Sequence, residues 1–340
     1  MALVNQPSFL QTAVGRVRRY RRSLSWLVGV GLLALSARML LHNPEPLRQL
    51  AHLPAYMWAA LLPLALLNFL FVSWRMALAV EQAGGAKVPA ASWFRVVVVG
   101  QFLNLFVPQL GNFYRGMTLK REFGVSYTAY ATGLFTFVWL DTTLGFGLCL
   151  LVLAALAPGL RLGRVPVLPL VALVIVGLVL APIVLAKVLG KVRLRGSRLA
   201  SLQARANALL STAGLSLRSP RFTLRFLLAS ALVMADQSTI LWLCFRAVGL
   251  PIDPETAVLF QVVVKLSNQV IVTPGNLGLT ELAFGVLGSV AHGGSLEYGI
   301  AAALVFRMLF TTSVIVLGVM FGGIGLLRLK PQAEADQSAT

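Results

Sequence analysis

Six apolar stretches, near 24–41, 53–80, 126–157, 167–190, 222–247 and 298–327, constrain this chain more than any motif does. Each is long enough to cross about 30 Å of hydrocarbon as a helix. With 58% hydrophobic residues, 12% charged residues and a mean hydropathy of +0.82, a water-soluble chain of 340 residues would carry more apolar surface than one core hides. Lipid is therefore the expected solvent. The runs far exceed the alternating segments of about ten residues that build an outer-membrane barrel, so an all-α polytopic membrane fold is expected. The first stretch is long, lacks a small-residue cleavage site and is followed by further spans, which reads as a retained anchor rather than a signal peptide.

Two more apolar segments, 92–107 and 255–273, run into Pro108 and Pro274 and are followed by shorter ones, 109–119 and 275–292. Proline lacks an amide hydrogen and fits the first turn of a helix, so each pair reads as two half-length helices meeting at a break. Thr273 is a candidate N-cap for the second.

A shift of 166 residues lays Pro108 on Pro274, Arg115 on Glu281 and Asp141 on Arg307. It also lays Phe94-Arg95-Val96-Val97-Val98 on Phe260-Gln261-Val262-Val263-Val264, and Gly133 on Gly299. Gene duplication in a membrane protein accounts for the prolines and the sign-swapped charges. The expected architecture is two repeats, about 24–157 and about 167–327, each with three spanning helices plus a broken or re-entrant pair. A basic connection, 191–221, joins them, and a polar tail, 331–340, is expected to be disordered. Either treatment of the broken pair gives each repeat an odd number of crossings, so the halves are expected to be inverted relative to each other.

The formal net charge of +18 is distributed by side of the membrane. Arg16, Arg18, Arg19, Arg21 and Arg22 precede the first span, and Arg75, Lys87 and Arg95 flank the end of the second. Lys187, Lys191, Arg193, Arg195, Arg198, Arg205, Arg218, Arg221 and Arg225 fill the long connection, and Arg328 and Lys330 follow the last span. The opposite loops carry few, such as Arg48, Arg161, Arg164 and Arg246. This asymmetry places both termini in the cytoplasm of a cell whose inner membrane holds the protein. It also removes the reason to invoke nucleic acid, since no folded reader with base-contacting aromatics is visible among the charges. Within 193–219, Leu199, Leu202, Ala206, Leu209 and Ala213 recur at helical spacing among arginines, which suits either a helix lying on an anionic inner leaflet or a solvated linker helix.

The breaks suggest chemistry. Beyond each one, unpaired backbone N–H groups and a positive dipole end form an anion site, and Gly111, Gly275 and Gly278 allow a headgroup close to the backbone. Asn104, Gln109, Asn112, Asn268 and Asn276 add polar groups to the same zone. Irregular backbone at this depth survives only where protein covers it or a wet cavity borders it, so fully packed kinked helices without a ligand are the alternative. Asp141 and Arg307 lie inside otherwise almost uncharged spans, where each costs roughly 2.5–3.5 kcal/mol. Arg115, Asp141, Glu281 and Arg307 are expected to form two opposite-sign pairs, acting either as a buried structural network or as phosphate-gripping arginines with supporting carboxylates. Asp236, in mid-span, and Lys265 are weaker candidates, with a snorkelling side chain as the alternative reading of Lys265.

Enzymatic signatures are few. His42, His52 and His292 are scattered, no Walker loop is present, and a nucleophile with its paired base is not identifiable, so no metal, cofactor or ATP-driven step is expected. Cys149 and Cys244 fall inside helices and suggest no disulfide framework.

The blocks Gln101-Phe-Leu-Asn104-Leu-Phe-Val-Pro108-Gln-Leu-Gly111-Asn-Phe-Tyr-Arg115, Trp139-Leu-Asp141, Thr273-Pro274-Gly275-Asn276-Leu-Gly278-Leu-Thr-Glu281 and Arg307 together resemble the lysylphosphatidylglycerol synthase transmembrane family, the flippase-like membrane proteins. The resemblance covers about residues 20 to 330. It departs at Asn276, where a second glycine is usual, and at Asn112 to Tyr114, where an acidic residue often precedes the arginine. It implies movement of an anionic or glycosylated lipid between leaflets, with Asn104, Pro108, Gly111, Arg115, Asp141, Pro274, Gly275, Asn276, Gly278, Glu281 and Arg307 around the substrate. Bifunctional members add a soluble aminoacyltransferase domain. Here the sequence ends at Thr340 after a short polar tail, so aminoacyl-lipid synthesis is not expected of this polypeptide alone. A non-transporting scaffold that binds a lipid, or a separate lipid- or glycan-modifying enzyme, is the alternative, and an intramembrane transferase a more distant one.

Overall fold

The computed structural model describes residues 54–107, 109–156, 158–159, 161–162, 165–191, 219–269, 278–291 and 294–322, together with isolated positions between 30 and 48 and at 203. Nine helices cover almost all of this: α1 (Ala55–Gln82), α2 (Ala90–Phe106), α3 (Leu110–Phe123), α4 (Tyr127–Leu156), α5 (Val167–Lys191), α6 (Pro220–Ala247), α7 (Pro254–Gln269), α8 (Leu279–Val290) and α9 (Leu296–Met320). The fold is all-helical apart from a two-residue antiparallel ladder, Arg161–Leu162 with Val165–Pro166, in the α4–α5 turn. The first apolar stretch is described only in part, at positions between 30 and 41, and the basic connection and the polar tail fall almost wholly outside the described residues.

Among the described residues four helices, α1, α4, α6 and α9, are long and apolar enough to cross a membrane. The chain is an integral membrane protein. At 1.5 Å per residue, α2 and α3 are only about 25 Å and about 21 Å long, too short to span upright. The break between them has a local cause. Val107 is extended, as the residue before a proline must be, and Gln109 takes a left-handed conformation with φ 70° before α3 begins at Leu110. Pro108 itself lies outside the described residues, and Gln109 is the described residue that redirects the backbone into α3. The second break runs from Gln269 to Leu279, and Gly278, with φ 80°, precedes α8. Pro274, Gly275, Asn276 and the candidate cap Thr273 lie outside the described residues.

The long seam of the molecule is between α1 and α6, and its direction is legible from its contacts. Leu61 and Ala65 share a core cluster with Ile240, Leu241 and Cys244, Asn68 bonds Asp236, Arg75 bonds Ser230, and Ala79 packs in a cluster with Phe222 and Phe226. Numbers rise along α1 as they fall along α6, so the two helices are antiparallel. The remaining packing is reciprocal under the 166-residue shift. α1 lies against α2 and α4 as α6 does against α7 and α9; α2 meets α3 as α7 meets α8; α2 touches α9 and α7 touches α4.

Glycines allow the tightest approaches. A β-carbon on Gly133 would collide with the backbone of Val80 on α1, and one on Gly299 with the carbonyl of Phe284 on α8. Such small-residue contacts let van der Waals packing hold helices together where lipid removes the hydrophobic drive.

Candidate functional site

At the first break, α2 and α3 cross backbone to backbone. A β-carbon on Gly111 would strike the Gly100 carbonyl, and one on Gly100 would strike the Arg115 side chain. Gly111 donates its N–H to Asn104 Oδ1 at 2.8 Å, which satisfies one of the orphan donors at the start of α3. Arg115 is buried and turned back onto this hairpin. It donates to Val97 O at 3.2 Å and to Asn112 Oδ1 at 3.2 Å, and its Nε has no partner among the described residues. Asn104, Gly111 and Arg115 are therefore together, around the crossing.

The second break is organised differently. Gly278 donates its N–H to Glu281 Oε2 at 2.7 Å, placing a carboxylate on the positive end of α8. The same carboxylate, itself buried, forms an ion pair with Arg307 of α9, whose side chain remains 26% exposed. One of the two opposite-sign pairs expected from the sequence is thus formed, Glu281 with Arg307.

The other is not. Asp141 is bound by Arg75 of α1 and by Lys265 of α7, the latter at 2.8 Å. Arg115 stays in its own hairpin because Gly100 opens a bed for it there. Arg75 also reaches Ser230 Oγ on α6 at 3.5 Å and lies 5.3 Å from the Phe137 ring centroid. Gly145, one turn beyond Asp141, leaves room for the Lys265 stem, since a β-carbon there would come within 2.7 Å of Lys265 Cε. Trp139 donates Nε1–H to Leu178 O at 2.9 Å and so ties α5 to the helix that carries Asp141.

Arg75 and Lys265 were read differently from the sequence. By sequence Arg75 falls in the cytoplasmic flank of its span, yet it is buried, because α1 continues to Gln82 and packs it against Asp141 of α4 and Ser230 of α6. A basic residue inside the 53–80 stretch was the available signal. Lys265 is instead turned onto the carboxylate of Asp141, at 2.8 Å.

Two cations and one carboxylate leave the Arg75–Asp141–Lys265 cluster with a formal excess of one positive charge. Four helices, α1, α4, α6 and α7, contribute to it. The Asp141 and Lys265 side chains remain 17% and 14% exposed, so the excess is within reach of an anion. Chemically such an arrangement can attract an anion, with two donors and a positive field that burial screens poorly.

No curated protein and no solved structure matches the chain significantly. The family model described as the lysylphosphatidylglycerol synthase TM region matches residues 22–318, which takes in every described helix except the last few residues of α9, and the chain accordingly belongs to that family of membrane proteins.

Proposed function

We propose that this protein moves a lipid with an anionic headgroup, glycosylated or not, between the two leaflets of the cytoplasmic membrane. Both termini lie on the cytoplasmic side, and two halves, about 24–157 and about 167–327, are inverted about an axis in the membrane plane. The antiparallel run of α1 and α6, and the reciprocal packing of the other helices under the same shift, support the inversion. An in-plane axis turns the α2–α3 hairpin and the α7–α8 hairpin in from opposite faces, so their tips converge near the middle of the bilayer.

The observation that carries the reading is the cationic excess of Arg75, Asp141 and Lys265. A charge inside the bilayer is expensive unless it is neutralised, and an anionic headgroup supplies the missing negative charge while its tails remain in lipid. Arg307, half of an ion pair yet partly exposed, is a second grip. Asn104, Pro108, Gly111 and Arg115 shape the first break and Pro274, Gly275, Asn276, Gly278 and Glu281 the second, so that half-helix N-termini border the path. The protein's work is transport rather than bond-making, and a separate lipid- or glycan-modifying enzyme supplies or consumes the lipid.

The test is leaflet exchange of fluorescent phosphatidylglycerol and phosphatidylcholine analogues in proteoliposomes. Lys265→Met removes the excess charge but leaves Asp141 paired with Arg75, so the fold is expected to survive. Exchange of the anionic analogue should fall by about tenfold, the ratio that 1.4 kcal/mol represents, with the zwitterionic analogue little changed. Exchange no faster than in protein-free liposomes, with folded wild-type protein and variant alike, would favour the scaffold reading. A chemically altered lipid, seen by mass spectrometry, would favour a transferase.

A further inference from the structure

The α1–α6 seam carries a carboxylate that headgroup binding does not use. Asp236 sits near the middle of α6 and is 6% exposed. Its Oδ2 accepts a hydrogen bond from Asn68 Nδ2 at 2.9 Å, and its Oδ1 has no donor among the described residues. The basic groups on the helices packed against α6 are engaged elsewhere, and the carboxylates Glu81 of α1 and Glu255 of α7 lie near the ends of their helices. Arg75 of α1 and Lys265 of α7 hold Asp141 of α4, and Arg307 of α9 holds Glu281. Arg75 does reach α6, but at Ser230, nearly two turns from Asp236. Glu297, in the first turn of α9 beside Tyr298, takes a hydrogen bond from Ser295. Among the described residues no ion pair includes Asp236.

Its place along the seam is equally specific. Asn68 meets Asp236 where the antiparallel helices bring shift-equivalent residues alongside each other, since Phe69 corresponds to Ala235 and Leu70 to Asp236. On the inverted-halves reading, the pair therefore lies on the axis that exchanges the halves, and an axis in the membrane plane runs through the bilayer middle. A carboxylate buried there without a counter-ion is disfavoured relative to the neutral acid. Polar groups continue from it toward α7: Gln261 Nε2 donates to Gln237 Oε1 at 2.7 Å, and the Ser238 hydroxyl is buried without a partner among the described residues.

We propose that Asp236 is a proton-binding site at the centre of the membrane. While α1 and α6 are closed together it keeps its acid proton on Oδ1. When the seam opens to water on one side, the O–H bond breaks, the proton leaves to water, and the carboxylate remains on Asn68. Because the seam joins the two halves, lipid exchange becomes linked to protons.

Infrared difference spectroscopy of the full-length protein in bilayers tests this without any transport. Wild type should show the carbonyl stretch of a protonated carboxyl, shifted in heavy water, that weakens from acid to alkaline buffer. Asp236→Asn, which keeps the shape of the neutral acid and should elute like wild type, is expected to lack that band, and Glu122→Gln, on the exposed surface, to retain it. No such band in wild type, a band that survives Asp236→Asn, or one unchanged at every pH would overturn the proposal. In the exchange assay a pH gradient should change the wild-type rate and leave the Asp236→Asn rate unaltered; a wild-type rate indifferent to the gradient overturns the linkage. Should no lipid exchange occur at all, the transport reading fails and the infrared band still decides for Asp236.

Discussion

Arg115 and Glu281 occupy the same register after their helix breaks, yet the two breaks are built on opposite plans. Arg115 lies back across its own hairpin, against the Gly100 backbone and the Val97 carbonyl, and leaves α3 only loosely tied to α4. Glu281 instead points along the start of α8, takes the Gly278 N–H, and reaches across to Arg307 of α9. Around it, Gly285, Gly288 and Gly299 bring α8 and α9 into backbone contact. The first break is thus self-contained, whereas the second is bolted to its neighbour. What separates them is the sign of one side chain and the placing of small residues: an arginine can donate to oxygens inside its hairpin, while a carboxylate at a helix start accepts an N–H there and takes a cation from a neighbouring helix.

The comparison breaks most sharply at Glu281. Glu281→Ala leaves Arg307 without its carboxylate and is expected to destabilise the protein by about 3–5 kcal/mol, as removal of one partner of a buried pair does. Thermal unfolding in detergent micelles measures it, and a loss no greater than that from Arg115→Met would show that the two breaks are alike after all. Next in size is Gly100→Ala, whose methyl group meets the Arg115 side chain and is expected to cost about 1–3 kcal/mol by overpacking. Adding Arg115→Ala should recover most of that loss in a double-mutant cycle, and independent losses would mean that Gly100 does not make the bed for Arg115. Asn104→Ala, which leaves the Gly111 N–H uncapped, should cost about 1 kcal/mol by the same unfolding measurement. The smallest effect is expected for Glu122→Gln, because the Arg95–Glu122 pair that fastens the far ends of α2 and α3 is exposed. It should cost less than about 1 kcal/mol and vanish at high salt. A large salt-independent loss would mean that surface charge, not the Gly100–Gly111 crossing, holds the first hairpin.

Much of this was readable from the residues. The helix break around Pro108 follows from proline's missing N–H and from its effect on the residue before it, both local properties. The Glu281–Arg307 pair follows from two opposite charges in neighbouring segments with few competitors nearby. Asp141 was harder. Its register pointed to Arg115, but the partners it finds lie 66 and 124 residues away along the chain, on α1 and α7. Local spacing holds no information on which of several cations will be nearest once helices pack. Arg75 was hidden for a related reason: a basic residue near the end of an apolar run looks interfacial until the helix is seen to continue past it.

Hydrophobicity, proline placement and the register of charges determined from sequence alone that this chain is a helical membrane protein with two broken helix pairs. These are properties of a segment and its solvent, and they do not depend on neighbours. Only the tertiary structure decided which charges meet, that α1 and α6 run antiparallel with Asn68 on Asp236, and that Arg75, Asp141 and Lys265 leave an uncompensated positive charge. Electrostatic partners inside a membrane are chosen by distance in a medium that barely screens them, and distance between remote segments exists only after the chain has folded.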